Sequence, residues 1–341
     1  MRVTQSMVMN SYTSRLSTVF AKMDYTTQKV STKRKFLAAT EDPGAAARAY
    51  QLRKNFQQTN DWISNVQDLL DSMDTMDASI RVLSEIAARS HSELLLRAKN
   101  DTWSLDDRMI FANELRSQQK MAVDALNAKF DDKFLFGGSS TKELPFEFDA
   151  ATQTLKYRGI DVTSADPAHQ AILKELADEK IYVDIGFGLT VDPTGANGFP
   201  RIADNSAFNM SMPGIGFLNI KGADPTDPTN NFILNLGIIA DMIEKEPFDQ
   251  DMTGELAKKL QAQQAEILLG VTKKGADYNF LEKRLTVLQR NCDDINNKIL
   301  NTEFIDMEEA IMEMKMADYV YRAMLEMGSR ILPPSFIDFM R

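Results

Sequence analysis

Residues 278–299 read YNFLEKRLTVLQRNCDDINNKI. Apolar or weakly polar side chains fall at Tyr278, Leu281, Leu285, Leu288, Cys292, Ile295 and Ile299, in steps that alternate between three and four. Such spacing keeps one narrow face of an α-helix turned toward a partner helix along its whole length. Followed backward, the same seam passes through Val271, Ile267, Leu260 and Leu256, so one long helix is predicted over residues 253–302.

The opposite end of the chain carries a matching stripe. Met9, Thr13, Leu16, Phe20, Met23, Thr27 and Val30 recur at the same steps and predict a first helix over residues 4–33. Asp42 and Pro43 then mark a new start, because an Asp side chain accepts from the free N–H groups of a first turn and Pro at the first helical position loses no bond. From there Ala49, Leu52, Phe56, Ile63, Val66, Leu70, Met73, Met76, Ile80, Leu83, Ala87 and Leu94 continue a stripe to residue 99. At 1.5 Å per residue this helix would extend roughly 85 Å. The added three-residue step from Met73 to Met76 resembles a stammer. Asn100, Asp101 and Thr102 break the pattern, and Ser104 with Asp107 forms a capping-box signature with Asp for Glu. A third helix to Phe130 follows, with Leu105, Ala112, Leu115, Ala122 and Leu126 inward and, given the short connection, antiparallel to the second.

Between residues 139 and 228 the periodicity changes to alternation: Leu144, Phe146 and Phe148; Leu155 and Tyr157; Ile181, Val183 and Ile185; Phe187, Leu189 and Val191. Turn clusters such as Asp192-Pro193-Thr194-Gly195 separate these runs, which read as strands, with one short helix over 169–178. Helix returns at 230–246, with Phe232, Leu236, Ile239 and Ile243 on one side, and again at 306–331. The last helix holds Met307, Met312, Met314, Met316, Met324 and Met327, which suit either core filling or an adaptable contact surface. Pro333 and Pro334 stop it. The fold class is therefore mainly α with a β-rich insert: a long antiparallel, coiled-coil-like rod built from both chain ends. Its expected parts are a terminal helical assembly region (1–42 and 306–341), a helical rod (43–138 and 229–305) and an outer β-rich domain (139–228).

At 341 residues and a formal charge of −10, the chain is long enough for two or three domains. Residues 1–60 carry ten Lys/Arg against three Asp/Glu, a net +7, which leaves −17 for the remainder. This basic arm reads as a solvated helix face plus the cluster Lys33, Arg34 and Lys35; without an aromatic-rich groove it argues against nucleic acid. Cys292 is the one cysteine, so no intramolecular disulfide forms, and its place on the seam makes it a small apolar filler. The two histidines, His91 and His169, lack ligand partners at metal spacing, and His91 is expected to face solvent. Gly270 and Gly275 have phosphate-loop spacing, but Ala276 and Asp277 stand where Lys and Ser/Thr are required. Gly137-Gly138-Ser139 lacks the serine-nucleophile pattern, and Asp192, Asn197 and Asp204 read as turn residues rather than a calcium loop. No catalytic residue, cofactor or metal is expected. Polar residues interrupt the first fifteen positions, so no cleavable signal peptide is expected, and no apolar run reaches membrane-spanning length.

Two stretches resemble a known family. Glu41-Asp42-Pro43-Gly44-Ala45-Ala46-Ala47-Arg48-Ala49 is similar to the junction between the first two helices of the hook-associated protein 3 family, a branch of the flagellin superfamily. Phe134-Leu135-Phe136-Gly137-Gly138, followed by Pro145-Phe146, resembles the turn where that family leaves its helical domain for its outer domain. The ending, Ala323-Met324-Leu325 through Ile331-Leu332 to Phe336-Ile337-Asp338-Phe339, resembles the superfamily's terminal helix and tail, although Pro333-Pro334 departs from it. Filament flagellin usually has no proline at the position of Pro43.

The resemblance implies a structural subunit joining hook to filament, exported through the flagellar channel and located outside the cell. It implies terminal helices that order on assembly, and partners that include copies of itself in a helical ring, the other hook-associated junction protein, flagellin and an export chaperone. Leu16, Phe20, Met23 and Val30, with Tyr321, Met324, Leu325 and Ile331, are the expected assembly surface. Filament flagellin and a cytoplasmic coiled-coil adaptor remain as alternatives.

Overall fold

The computed structural model describes residues 5–98, 104–193, 201–203, 205–246 and 249–331. Its long helices are α1 (Gln5–Thr32), α2 (Pro43–Ala98), α3 (Leu105–Leu126), α7 (Gln250–Glu303) and α8 (Met307–Ile331). Shorter ones are α4 (Pro167–Ala177), α5 (Ile215–Leu218) and α6 (Phe232–Glu244). The chain folds into two compact units, one from Met1–Asn60 with Gln289–Arg341 and the other from Asp61–Leu288. The resulting class, mainly α with long terminal helices packed on each other and a small β-rich insert, is the one the seams predict.

Every seam position read along α7, from Leu256 to Ile299, is buried or half-buried. The start signal at α2 also behaves as its chemistry requires. Asp42 Oδ1 accepts from the Ala45 N–H at 2.9 Å, and Pro43 is the first helical residue. Met73 and Met76 are both buried, so the stripe runs through the added three-residue step. At α3 the Ser104 hydroxyl oxygen accepts from the Asp107 N–H at 3.2 Å and its proton goes to the Asp107 carboxylate at 2.7 Å.

In the larger unit α3 packs against α6. Phe111, Leu115, Ala122 and Leu126 lie in one core with Phe232, Leu236, Ile239 and Ile243, and α7 adds Leu256, Leu260 and Ile267. The strands are short. A hairpin pairs β1 (Lys129–Phe130) with β2 (Lys133–Phe134), and an antiparallel meander joins β3 (Phe146–Asp149), β4 (Thr154–Tyr157) and β5 (Ile160–Asp161). Two further antiparallel pairs are nested, β7 (Val191–Asp192) with β8 (Arg201–Ile202) inside β6 (Tyr182–Val183) with β9 (Phe208–Asn209).

The Phe134–Gly138 turn is a packing pivot. Phe136 is fully buried, and its carbonyl accepts from the Tyr157 hydroxyl at 3.1 Å and from the Gly214 N–H at 3.0 Å. Burial pushes the Tyr157 hydroxyl up to about 12, which keeps it a donor. Asn127 closes the turn by exchanging two hydrogen bonds with the Phe146 backbone, at 2.9 and 3.1 Å. The meander's core edge is Phe146, Leu155 and Tyr157, all fully buried.

Four expectations are corrected. α3 stops at Leu126 instead of Phe130: Asn127 caps it, Lys129–Phe130 forms β1, and Asp131 and Asp132, at φ of 48° and 59°, turn the chain into β2. Residues 187–190 do not form a strand, and Phe187, Leu189 and Val191 are exposed. Gly186 and Gly188, at φ of 86° and 80°, take the backbone out of the extended region on either side of Phe187. Leu144 is exposed and lies outside β3. His91 does not face solvent freely: it is half-buried, and its Nδ1 meets the Ala257 carbonyl at 2.9 Å.

Candidate assembly interface

The smaller unit is organised by α1 lying along α8. On α8 the covered face is Ala310, Met314, Ala317, Tyr321, Met324 and Gly328, a three-four series in which Ala310, Ala317 and Gly328 are buried. The small residues Ala310, Ala317 and Gly328 let a facing helix approach closely. On α1 the covered face is Tyr12, Leu16, Val19, Met23, Thr26 and Val30. This is a correction to the predicted stripe: Leu16, Met23 and Val30 are in register, but the intervening positions are Tyr12, Val19 and Thr26. Thr13, Phe20 and Thr27, one residue along, are exposed.

Two contacts fix the pairing. The Tyr12 hydroxyl donates to the Met324 carbonyl at 2.9 Å, in a notch left by Gly328, where a Cβ would overlap that hydroxyl. Phe20, at the flank of the seam, sets its ring 5.7 Å from Tyr321 at an interplanar angle of 53°. Of the expected assembly residues, Leu16, Met23, Val30, Tyr321 and Met324 are half-buried along this pairing, while Phe20 and Leu325 are 50% and 45% exposed. Ile331 ends α8, and its side chain lies outside the described residues, as do the tail from Leu332 onward, the Asn100–Thr102 break, Asn197 and Asp204. Tyr12 and Gly328 were missed; the four-residue steps from Tyr12 to Leu16 and from Met324 to Gly328 were the available signal.

The corners of this unit are tied together. After Lys33 at φ 59°, Arg34 bridges Phe304. Lys35 N–H donates to the Glu303 carbonyl at 2.8 Å, and Ile305 N–H donates to the Lys33 carbonyl at 3.1 Å. The Lys35 ammonium reaches the Asn301 carbonyl at 2.6 Å. The basic cluster thus joins the α1–α2 corner to the α7–α8 corner. Arg53 forks onto the buried Glu303 carboxylate, with Nε–Oε1 at 2.6 Å, and this pairing raises the Arg53 guanidinium. Tyr25 donates to Glu41 at 2.8 Å, which holds the Glu41 carboxyl below its usual range. Cys292 is half-buried on the seam, its thiol 3.3 Å from Asn60 Oδ1 and pushed up by burial, as suits a filler rather than a nucleophile.

The opposite face of α8 has no cover within the described chain. Met312, Met316, Tyr319 and Met327 are 65%, 64%, 71% and 58% exposed, with Val320 beside them. The methionines therefore divide between both expected roles: Met314 and Met324 face α1, and Met312, Met316 and Met327 lie bare. Among the described residues no cluster of His, Cys, Asp or Glu could hold a metal, and no helix is long and apolar enough to cross a membrane.

Residues 3–141 match the family model for the bacterial flagellin N-terminal helical region. Over that stretch the chain is similar to the helical amino-terminal region of the flagellin superfamily. Its fold resembles that of solved flagellar hook-associated proteins. A protein of Vibrio parahaemolyticus described as a flagellar hook-associated protein superposes with a TM-score of 0.59 at 16% identity, over 77% of this chain and 100% of that one. FlgL of Bacillus cereus superposes with a TM-score of 0.51 at 14% identity, over 73% of this chain and 99% of that one. The resemblance carried by residues 41–49 and 134–138 is borne out. No curated protein matches the sequence.

Proposed function

We propose that this chain is a non-enzymatic structural subunit of the bacterial flagellum, placed where hook meets filament and assembled through its terminal helices. The observation that carries this reading is the two-faced α8. One apolar face is covered by α1, and the opposite face presents Met312, Met316, Tyr319 and Met327 to solvent. A helix apolar on opposed sides is suited to a buried position, so the free subunit lacks a partner that assembly supplies. Coaxial packing of α1 and α8 from neighbouring copies would cover it, and a head-to-tail contact that does not close on itself builds a helical tube. The other hook-associated junction protein and flagellin would sit at the two ends of that ring. Export through the flagellar channel with a chaperone, and a final place outside the cell, belong to the same reading.

Immunogold microscopy of intact flagellated cells with antibody against residues 139–228 tests it. A single labelled spot at the hook–filament junction is expected. Label along the whole filament would make the chain a filament flagellin, and a fully cytoplasmic protein would overturn both.

A further inference from the structure

The larger unit contains an open cavity of about 1310 Å³ that assembly by the terminal helices leaves unused. It lies among α4, the segment around residues 205–223 and the middle of α7, and much of its wall is apolar: Phe187, Phe208, Phe217, Phe280, Met212 and Leu269. Two of its polar groups are out of keeping with such a wall. Lys274 is only 8% exposed, and among the described residues the carboxylate beside its ammonium is Asp277, at a loose 3.7 Å, beyond hydrogen-bond distance. Ser211 Oγ is buried with no hydrogen-bond partner among the described residues. The two belong to neighbouring elements, since Met212 meets α7 at Gly270, one turn before Lys274.

A buried ammonium and a buried hydroxyl without full partners both cost stability unless something completes them. Charge on the wall is nearly balanced, with five lysines and four carboxylates; Glu179 is held by Arg158 at 3.1 Å and Lys180 has a partner of its own, so Lys274 is the ammonium placed to meet an acid. Three of these wall residues, Phe187, Phe280 and Leu269, turn partly to solvent at the rim, at 45%, 45% and 61% exposure.

We propose that this cavity binds an amphiphilic anion of the long-chain carboxylate type, its hydrocarbon body against the phenylalanine wall and its acidic head on Lys274, with Ser211 supplying a hydroxyl. Mostly apolar walls with a few placed polar groups are how proteins hold such molecules. The burial that lowers the Lys274 ammonium would be relieved by the incoming charge.

Titration calorimetry of the full chain with dodecanoate tests this, with dodecanol as the uncharged probe of the same length. Saturable one-to-one binding of dodecanoate is expected, at least roughly tenfold tighter than dodecanol. Lys274→Met should abolish that preference while leaving dodecanol binding in place. Leu269→Glu, at a site exposed enough to leave the fold intact, should weaken dodecanoate by placing a negative charge at the rim. Equal affinity for the two probes, unchanged dodecanoate binding in Lys274→Met, or no saturable binding would overturn the proposal. Circular dichroism melting of both variants separates a binding loss from a folding loss.

Discussion

The Tyr12 hydroxyl donates to the main-chain carbonyl of Met324 at 2.9 Å, joining residues 312 positions apart in sequence. It can do so because Gly328 leaves α8 without a side chain at that point. Glycine inside a helix ordinarily costs about 1 kcal/mol relative to alanine. Here the overlap outweighs that gain, so Gly328→Ala is expected to destabilise the α1–α8 pairing by roughly 1–3 kcal/mol. Tyr12→Phe alone should cost about 1 kcal/mol for the lost hydrogen bond. Amide hydrogen exchange in α1 and α8 reads both effects. If Gly328→Ala protects those amides better than wild type, the notch has no packing role.

Arg53 and Glu303 are unequal partners. Glu303 is buried, whereas the Arg53 side chain is 53% exposed. Removing the arginine leaves a carboxylate with little water, so Arg53→Met should cost roughly 2 kcal/mol, toward the low end for a buried pair because Arg53 is half in solvent. The double variant Arg53→Met/Glu303→Met should recover most of the loss. Urea unfolding of the set forms a double-mutant cycle; a double variant as weak as the single one would mean that Glu303 is not the cause.

Gly186 and Gly188 form an internal control. Both take positive φ, 86° and 80°. At Gly186 an added Cβ would lie 2.8 Å from Trp62 and from the Arg284 guanidinium, while at Gly188 no atom of the described residues stands within 4 Å. Gly188→Ala should therefore cost about 1 kcal/mol from backbone alone. Gly186→Ala should cost roughly 1–3 kcal/mol more and loosen the clasp formed by Trp62, Asp184 and Arg284. In that clasp the Trp62 indole donates to Asp184 at 3.0 Å and Arg284 donates to the Ile185 and Gly186 carbonyls at 2.9 and 2.7 Å. A red shift of Trp62 emission, in a Trp103→Phe background, should accompany Gly186→Ala alone.

Where the sequence was legible, the reason is periodicity. A seam as long as that of α7 leaves no alternative register, and each of its predicted positions is covered. The α1 stripe slipped at alternate positions because Phe20 and Thr13 look as good a knob as Val19 and Tyr12 until the partner is known. Only the small residues of α8 decide between them. The β1–β2 hairpin was hidden because Asp131-Asp132 adopts left-handed backbone without glycine. The apparent strand at Phe187 and Leu189 failed for the converse reason, two glycines that alternation cannot weigh, and only Val191 enters a strand. His91 escaped because its bond to the Ala257 carbonyl crosses to a helix 166 positions away.

Acid should weaken the contact between α3 and α6. Arg116 reaches Glu244 at 2.5 Å and Asp241 at 2.9 Å. Its hydrogen bonds hold the Glu244 carboxyl below the usual range, against a smaller upward push from burial. A depressed carboxyl stabilises the fold above its unfolded value, about 4.3 for Glu, and that contribution disappears as pH falls through the folded value. Both side chains are about a third exposed, so the effect should stay below about 1 kcal/mol. Wild type should exceed Glu244→Gln in stability above about pH 5, and the two should converge below about pH 4. Parallel curves across that range would remove Glu244 from the account.

The two faces of α8 separate folding from assembly. Leu16 lies in the seam that α1 shares with α8, so Leu16→Asp would place a charge within the subunit's own packing and should disturb its fold as well as its incorporation. Met316 and Tyr319, at 64% and 71% exposure on the opposite face, are left largely uncovered by the described residues. Met316→Asp and Tyr319→Asp should therefore leave the melting curve of the isolated chain within experimental error of wild type. If that face is the contact with neighbouring copies, the same variants should fail to appear in sheared appendages and should give no junction label. Normal incorporation of both would place the assembly contact elsewhere. Leu325→Asp, on the flank of the seam at 45% exposure, then becomes the deciding variant between the bare face and the α1–α8 edge.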